Sequence, residues 1–153
     1  MRFLRLLAVC SILPTALFAA DSPFSGNWKL NTAKSHFTGA APQSSTANVQ
    51  ADDQNFKLKQ EFVDDKGQTS NISVDAKYDG KDYPVTGDPD TDSMAIRRVS
   101  DHELKITYKK AGHVTGKSVV IVSKDGKTTT LKFTDYKDGK PMGSGSAVYD
   151  KTQ

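Results

Sequence analysis

The sequence predicts an all-β fold, an antiparallel up-and-down meander closed into a small β-barrel with little helix. Three observations predict it. Apolar and polar residues alternate with period two in run after run, the pattern of strands with one face buried and one solvated. Turns carrying glycine separate those runs: Asp65-Lys66-Gly67, Asp79-Gly80, Ala111-Gly112, Asp125-Gly126 and Asp138-Gly139. Glycine supplies positive φ, and Asp-Gly between apolar runs is a strong hairpin signal. Several neighbouring turns lie about thirteen or fourteen residues apart, which suits one strand plus one tight turn. A meander of roughly eight to ten strands closes on itself and so removes its exposed edges.

Residues 1–20 read as a secretory signal peptide rather than as part of the fold. Arg2 and Arg5 make a basic start, Leu6 to Phe18 is mostly apolar, and Ala19-Ala20 supplies the small residues of a cleavage site. The expected mature chain starts near Asp21 and forms a single domain, 21–153. The apolar run is too short for a membrane span. A lipoprotein box at Leu7-Ala8-Val9-Cys10 is the rival, against which stand the bulky Val9 and the brevity of the apolar segment before Cys10. Cys10 is the only cysteine, so the exported domain rests on its core without disulfides. The remaining length of about 130 residues is enough for one such core.

Formal charge is +3 from 21 basic and 18 acidic residues; without Arg2 and Arg5 it becomes 19 against 18, or +1. That balance asks for neither nucleic acid nor an anionic membrane surface.

The first strand is expected in Phe24-Ser25-Gly26-Asn27-Trp28-Lys29-Leu30-Asn31, which holds the only tryptophan. Trp28 and Leu30 share one face, and an indole so near a terminus must be tied down by a core. Gly26 permits close approach of another group. Thr32 to Ser45 is a connection holding at most a short helical turn, capped by Asn31 or Thr32, before His36-Phe37 returns to the body. Strands follow. Thr46 to Ala51 is weakly apolar. Phe56, Leu58, Gln60 and Phe62 share a face, as do Ile72, Val74, Ala76 and Tyr78. Met94, Ile96 and Arg98 share another, then Leu104, Ile106 and Tyr108. Val119 to Val122 is continuously apolar, as if covered on both sides. Leu131 with Phe133, and Ala147 with Tyr149, complete the series.

The Phe24–Leu30 segment resembles the Gly-x-Trp opening strand of calycins, the lipocalins and fatty-acid-binding proteins, and Ala147-Val148-Tyr149-Asp150-Lys151 resembles their last strand. Most of the chain beyond residue 20 is also similar to exported bacterial lipocalin-like proteins of uncharacterised role. The resemblance implies a calycin-like barrel whose Trp28 indole packs across the closed end, often under a basic side chain. It also implies an interior ligand. Two departures stand out. The Arg-x-Tyr that grips a carboxylate in fatty-acid-binding proteins is Ala147-Val148-Tyr149 here, and Thr32 to Ser45 is too short for their helical lid.

The candidate ligand-binding residues are Arg98, Tyr108, Tyr149, Met94, Ile96 and Phe62; Gly26 and Trp28 are structural. If Met94 and Ile96 face inward, so does Arg98, and a buried guanidinium needs an acidic side chain or an anionic headgroup. The alternative is that Arg98 lies at the strand end beside Ser100-Asp101 and snorkels to solvent. Tyr108 and Tyr149 are either polar handles or core with satisfied hydroxyls. Gly87-Asp88-Pro89-Asp90-Thr91-Asp92-Ser93 has the opening of a calcium loop without its later glycine and glutamate, so a solvated turn is expected. His36, His102 and His113 share no zinc spacing, and Ser144 has no base placed by sequence. The expectation is therefore a monomeric, exported (periplasmic or extracellular) protein without catalytic residues, metal or cofactor. It binds a small hydrophobic or amphipathic ligand, a lipid for instance, inside the barrel. The rival is a barrel filled by its own side chains, acting through its loops as an interaction or inhibitor module.

Overall fold

The computed structural model describes residues 22–152; the expected signal segment, Cys10 and Asp21 lie outside them. The strands are β1 (Gly26–Leu30), β2 (His36–Phe37), β3 (Ser44–Ala51), β4 (Asn55–Val63), β5 (Thr69–Lys77) and β6 (Asp79–Thr86). They continue with β7 (Ser93–Ser100), β8 (Glu103–Lys110), β9 (His113–Val122), β10 (Thr128–Lys137) and β11 (Lys140–Thr152). From β3 to β11 every strand pairs antiparallel with the next. β1 pairs with both β3 and β11, which closes a barrel of ten staves.

The first stave is broken. A single 3-10 turn, Thr32–Lys34, interrupts it between β1 and β2, and the Asn31 carboxamide caps that turn by accepting from the Lys34 N–H. β2 then resumes the pairing with β11 at Gly145 and Ser146. Gly145 is obligatory there, because a Cβ would run into the His36 carbonyl and the Phe133 ring.

One strand escapes the sequence pattern. β6 contains Pro84, which cannot donate to a ladder, and alternating charges at Asp79, Lys81 and Asp82. Its ladder to β5 has two registered pairs, Ser73–Thr86 and Val74–Val85, whereas β4 and β5 register over nine. The expectation that Val119 to Val122 is covered on both sides is also corrected. Val122 is buried, but Val119 and Ile121 face outward and stay half-buried; among the described residues no second layer lies over them.

The core is asymmetric along the barrel axis. At the end bearing the β3–β4, β5–β6, β7–β8 and β9–β10 turns, Trp28, Phe56, Val74, Ala76, Ile96, Leu104 and Val122 are all buried. The segment before β1 plugs this end. Phe24 is buried, its carbonyl accepts the Trp28 indole N–H at 3.0 Å, and the Ser25 hydroxyl bonds both backbone groups of Ala51. Lys151 lies over the indole, its Nζ 5.2 Å from the ring centroid, which is the basic cover the resemblance implies. Gly26 makes room for it; a Cβ there would meet the Lys151 chain. Among the described residues no helix is long and apolar enough to cross a membrane.

Candidate functional site in the open half of the barrel

Toward the other end, inward-facing side chains stop being buried. Phe62 on β4, Ile72 on β5, and Leu131 and Phe133 on β10 are inward by alternation yet only half-buried. Phe37 of the broken stave joins them, its ring 6.0 Å from that of Phe133. An apolar lining inside a barrel and open to water is the kind of surface that ligands cover.

Polar groups sit below this lining. The Ser45 hydroxyl is buried and accepts from the Gln60 carboxamide at 2.8 Å and from the Tyr149 hydroxyl at 3.3 Å. The Tyr108 and Ser118 hydroxyls bond at 3.0 Å. Burial pushes the Tyr108 phenol up to about 12 and raises Tyr149 as well. At the closed end burial likewise drives Tyr78 to about 12, opposed by the nearby Arg98 charge. The sign follows from linkage: the folded state holds these protons where the unfolded chain, near its ordinary value of about 10, releases them. Stability is therefore expected to be flat through neutral pH up to pH 10 and to fall between pH 10 and 12. Urea unfolding across that range, with tyrosinate absorbance recorded in parallel, checks it.

Among the described residues one charge at the open rim, the exposed Asp135, has no ion-pair partner. Asp135 shares the inward parity of Leu131 and Phe133, and its cross-strand neighbours are glycines on both sides, Gly116 of β9 and Gly143 of β11. A Cβ at either glycine would come within 4 Å of its carboxylate. Partial burial raises its pKa.

The six expected lining residues divide. Phe62, Tyr108 and Tyr149 lie in the open half. Met94 pairs with Tyr108 across β7 and β8 but is itself buried, as is Ile96, so both belong to the packed core. Arg98 takes the strand-end position beside Asp101 that was its alternative. Four residues along β7 from Met94, roughly 13 Å, it reaches the closed rim. Its guanidinium is held by Asp53 at 3.3 Å and Asp101 at 3.2 Å and lies over the Tyr78 ring. The acidic side chains that a partly buried guanidinium needs are thus present within the protein. The acidic Gly87–Ser93 loop is a structural turn: Asp88 accepts the Asp90 N–H and Asp92 accepts that of Ala111, at 2.8 and 2.7 Å.

Ser45, Gln60, Ser118 and Asp135 were not among the expected site residues. Gln60 stood on the apolar face of β4 and Asp135 two positions beyond Phe133, so parity could have found both. Ser45 and Ser118 carry no such signal, being small and hydroxylated in serine- and threonine-rich strands.

No family model matches the chain, and no curated protein matches it. The closed ten-stave antiparallel barrel is compatible with a calycin-like fold.

Proposed function

We propose that this is a calycin-like protein, exported to the bacterial envelope, that binds a small amphipathic ligand non-covalently in the open half of its barrel. The observation that carries this reading is the gradient of burial along one set of inward faces, from packed around Leu104 to half-exposed around Phe62, Ile72, Leu131 and Phe133. Covering that lining contributes about 25 cal/mol per Å² of apolar surface removed from water. The hydroxyl pairs orient the ligand's polar end. The unpaired Asp135 selects its charge, so the headgroup is cationic or neutral. A carboxylate headgroup would meet Asp135 as a like charge.

Titration with dodecylamine, dodecanol and dodecanoate, followed by backbone amide shifts, tests this. Shifts are expected at Phe62, Ile72 and Phe133, with the amine binding at least tenfold more tightly than the acid, as a charge-assisted contact requires. Asp135→Asn should bring the amine level with the alcohol. Failure of all three to bind, together with native mass spectra free of any co-purified small molecule, would remove the proposal. The packed closed half supports the second reading, a barrel filled by its own side chains that acts through its loops as an interaction or inhibitor module.

A further inference from the structure

The outer face of β7–β10 carries a feature that the barrel interior does not explain. Register places Arg97 opposite Lys105, Lys105 opposite Val119, and Val119 opposite Lys132, in one row across four strands. In the next row Ala95, Thr107, Lys117 and Thr134 are aligned. The two central strands thus carry Lys105 and Lys117 on one diagonal and the shorter Thr107 and Val119 on the other, with Arg97, Lys109 and Lys132 at the sides. The result is a hollow of about 600 Å³ with Ala95, Val119 and the threonine hydroxyls as its floor.

Like charges directly opposite on neighbouring strands are destabilising, yet Arg97 and Lys105 face each other. Among the described residues Asp82 is the only acid that pairs into this group, bridging Lys109 at 2.7 Å. Lys117 rests over the Tyr136 ring, its Nζ 5.7 Å from the centroid. Arg97 lies against the backbone of Gly80, where a Cβ would come within 2.9 Å of its guanidinium. Among the described residues Arg97, Lys105, Lys117 and Lys132 make no ion pair, although Asp79 stands opposite Arg97 in the ladder to β6; Lys105 and Lys132 lie roughly 10 Å apart across two strand spacings. A concave cluster of this kind fits a compact anion better than a flat surface.

We infer that this outer hollow binds a ligand carrying two or more phosphate groups. Each phosphate monoester brings about −1.5 to −2 charges and three acceptor oxygens, so two of them neutralise the four cations. Lysine dominates the site, and it serves phosphate as a mobile point charge. The threonine hydroxyls add neutral donors at the floor. Phe133 is among the residues lining the hollow, but its ring packs against Phe37 on the inward side, so it offers no stacking platform of the kind that single-stranded nucleic acid uses.

Calorimetry on the full chain at physiological ionic strength, about 150 mM, uses three probes: sodium tripolyphosphate, citrate, and phosphatidylcholine vesicles with or without phosphatidic acid. Tripolyphosphate is expected to bind with one-to-one stoichiometry, and the double variant Lys105→Gln, Lys132→Gln to lose at least tenfold in affinity. The control pair Lys29→Gln, Lys59→Gln, on the far side of the barrel, should bind as the parent does. The variant should melt no lower than the parent, since it relieves the Arg97–Lys105 repulsion, so a loss of binding is not a loss of fold. Binding only to phosphatidic acid vesicles, with the same tenfold loss, assigns the phosphates to a lipid headgroup instead of a soluble ester. Citrate binding as tightly as tripolyphosphate, an equal loss in the control pair, or no binding of either phosphate source each overturns the inference.

Discussion

Trp28→Ala is expected to cost about 3–5 kcal/mol in urea unfolding, the range for removing a buried tryptophan without full collapse of the cavity. Three supports fail together. The indole is buried in the same core cluster as Phe24, its N–H satisfies the Phe24 carbonyl, and its face carries the Lys151 ammonium. Removing the ring leaves the carbonyl without its donor and the plug segment without its anchor. Trp28→Phe separates these effects. It keeps most of the apolar volume but loses the hydrogen bond, so it should cost about 1–3 kcal/mol, the penalty for a buried group left unpaired. A loss below about 1 kcal/mol for the alanine variant, against the cost expected of a buried tryptophan, would place the indole outside the core.

Gly87→Ala is expected to destabilise by about 2–5 kcal/mol, and Gly112→Ala by about 1–2 kcal/mol. The two glycines have almost the same backbone, with φ of 81° and 79°, so both substitutions pay the same left-handed penalty. Their surroundings differ. Nothing lies within 4 Å of a Cβ at Gly112, whereas at Gly87 it would collide with the Asn71 carbonyl. That carbonyl belongs to β5, beside the two-pair ladder with β6, where the sheet has little left to give up. The difference between the two variants measures the clash alone. Equal losses, read from chemical unfolding at one pH, would mean that the β6–β7 loop shifts freely.

Much of this architecture was legible because period-two alternation is a local property. Phe56 through Phe62 and Leu104 through Tyr108 declared their faces without any partner being known. What was not legible needed the pairing. Arg98 has the parity of Met94 and Ile96, but parity says nothing about height along the barrel, and height put it at the closed rim between two aspartates. The cationic hollow was hidden for the same reason. Arg97, Lys105, Lys117 and Lys132 sit on four different strands, and only register sets them side by side. β6 was missed on chemistry. Proline and charge displaced the apolar signal from all but Tyr83 and Val85.

The closure of β1 against β11 also orders events in time. Eight hairpins, from β3–β4 to β10–β11, can form from residues close in sequence, and local contacts form fast. The β1–β11 ladder joins Trp28 to Lys151 and Leu30 to Tyr149, so it waits until those β11 residues leave the ribosome. Until then the growing sheet has two unpaired edges, and the first strand to be made is the last to be held on both sides. Open edges recruit other chains. The hazardous interval is therefore set by the arrival of β11, and a chain stopped short of Tyr149 keeps both edges open for good.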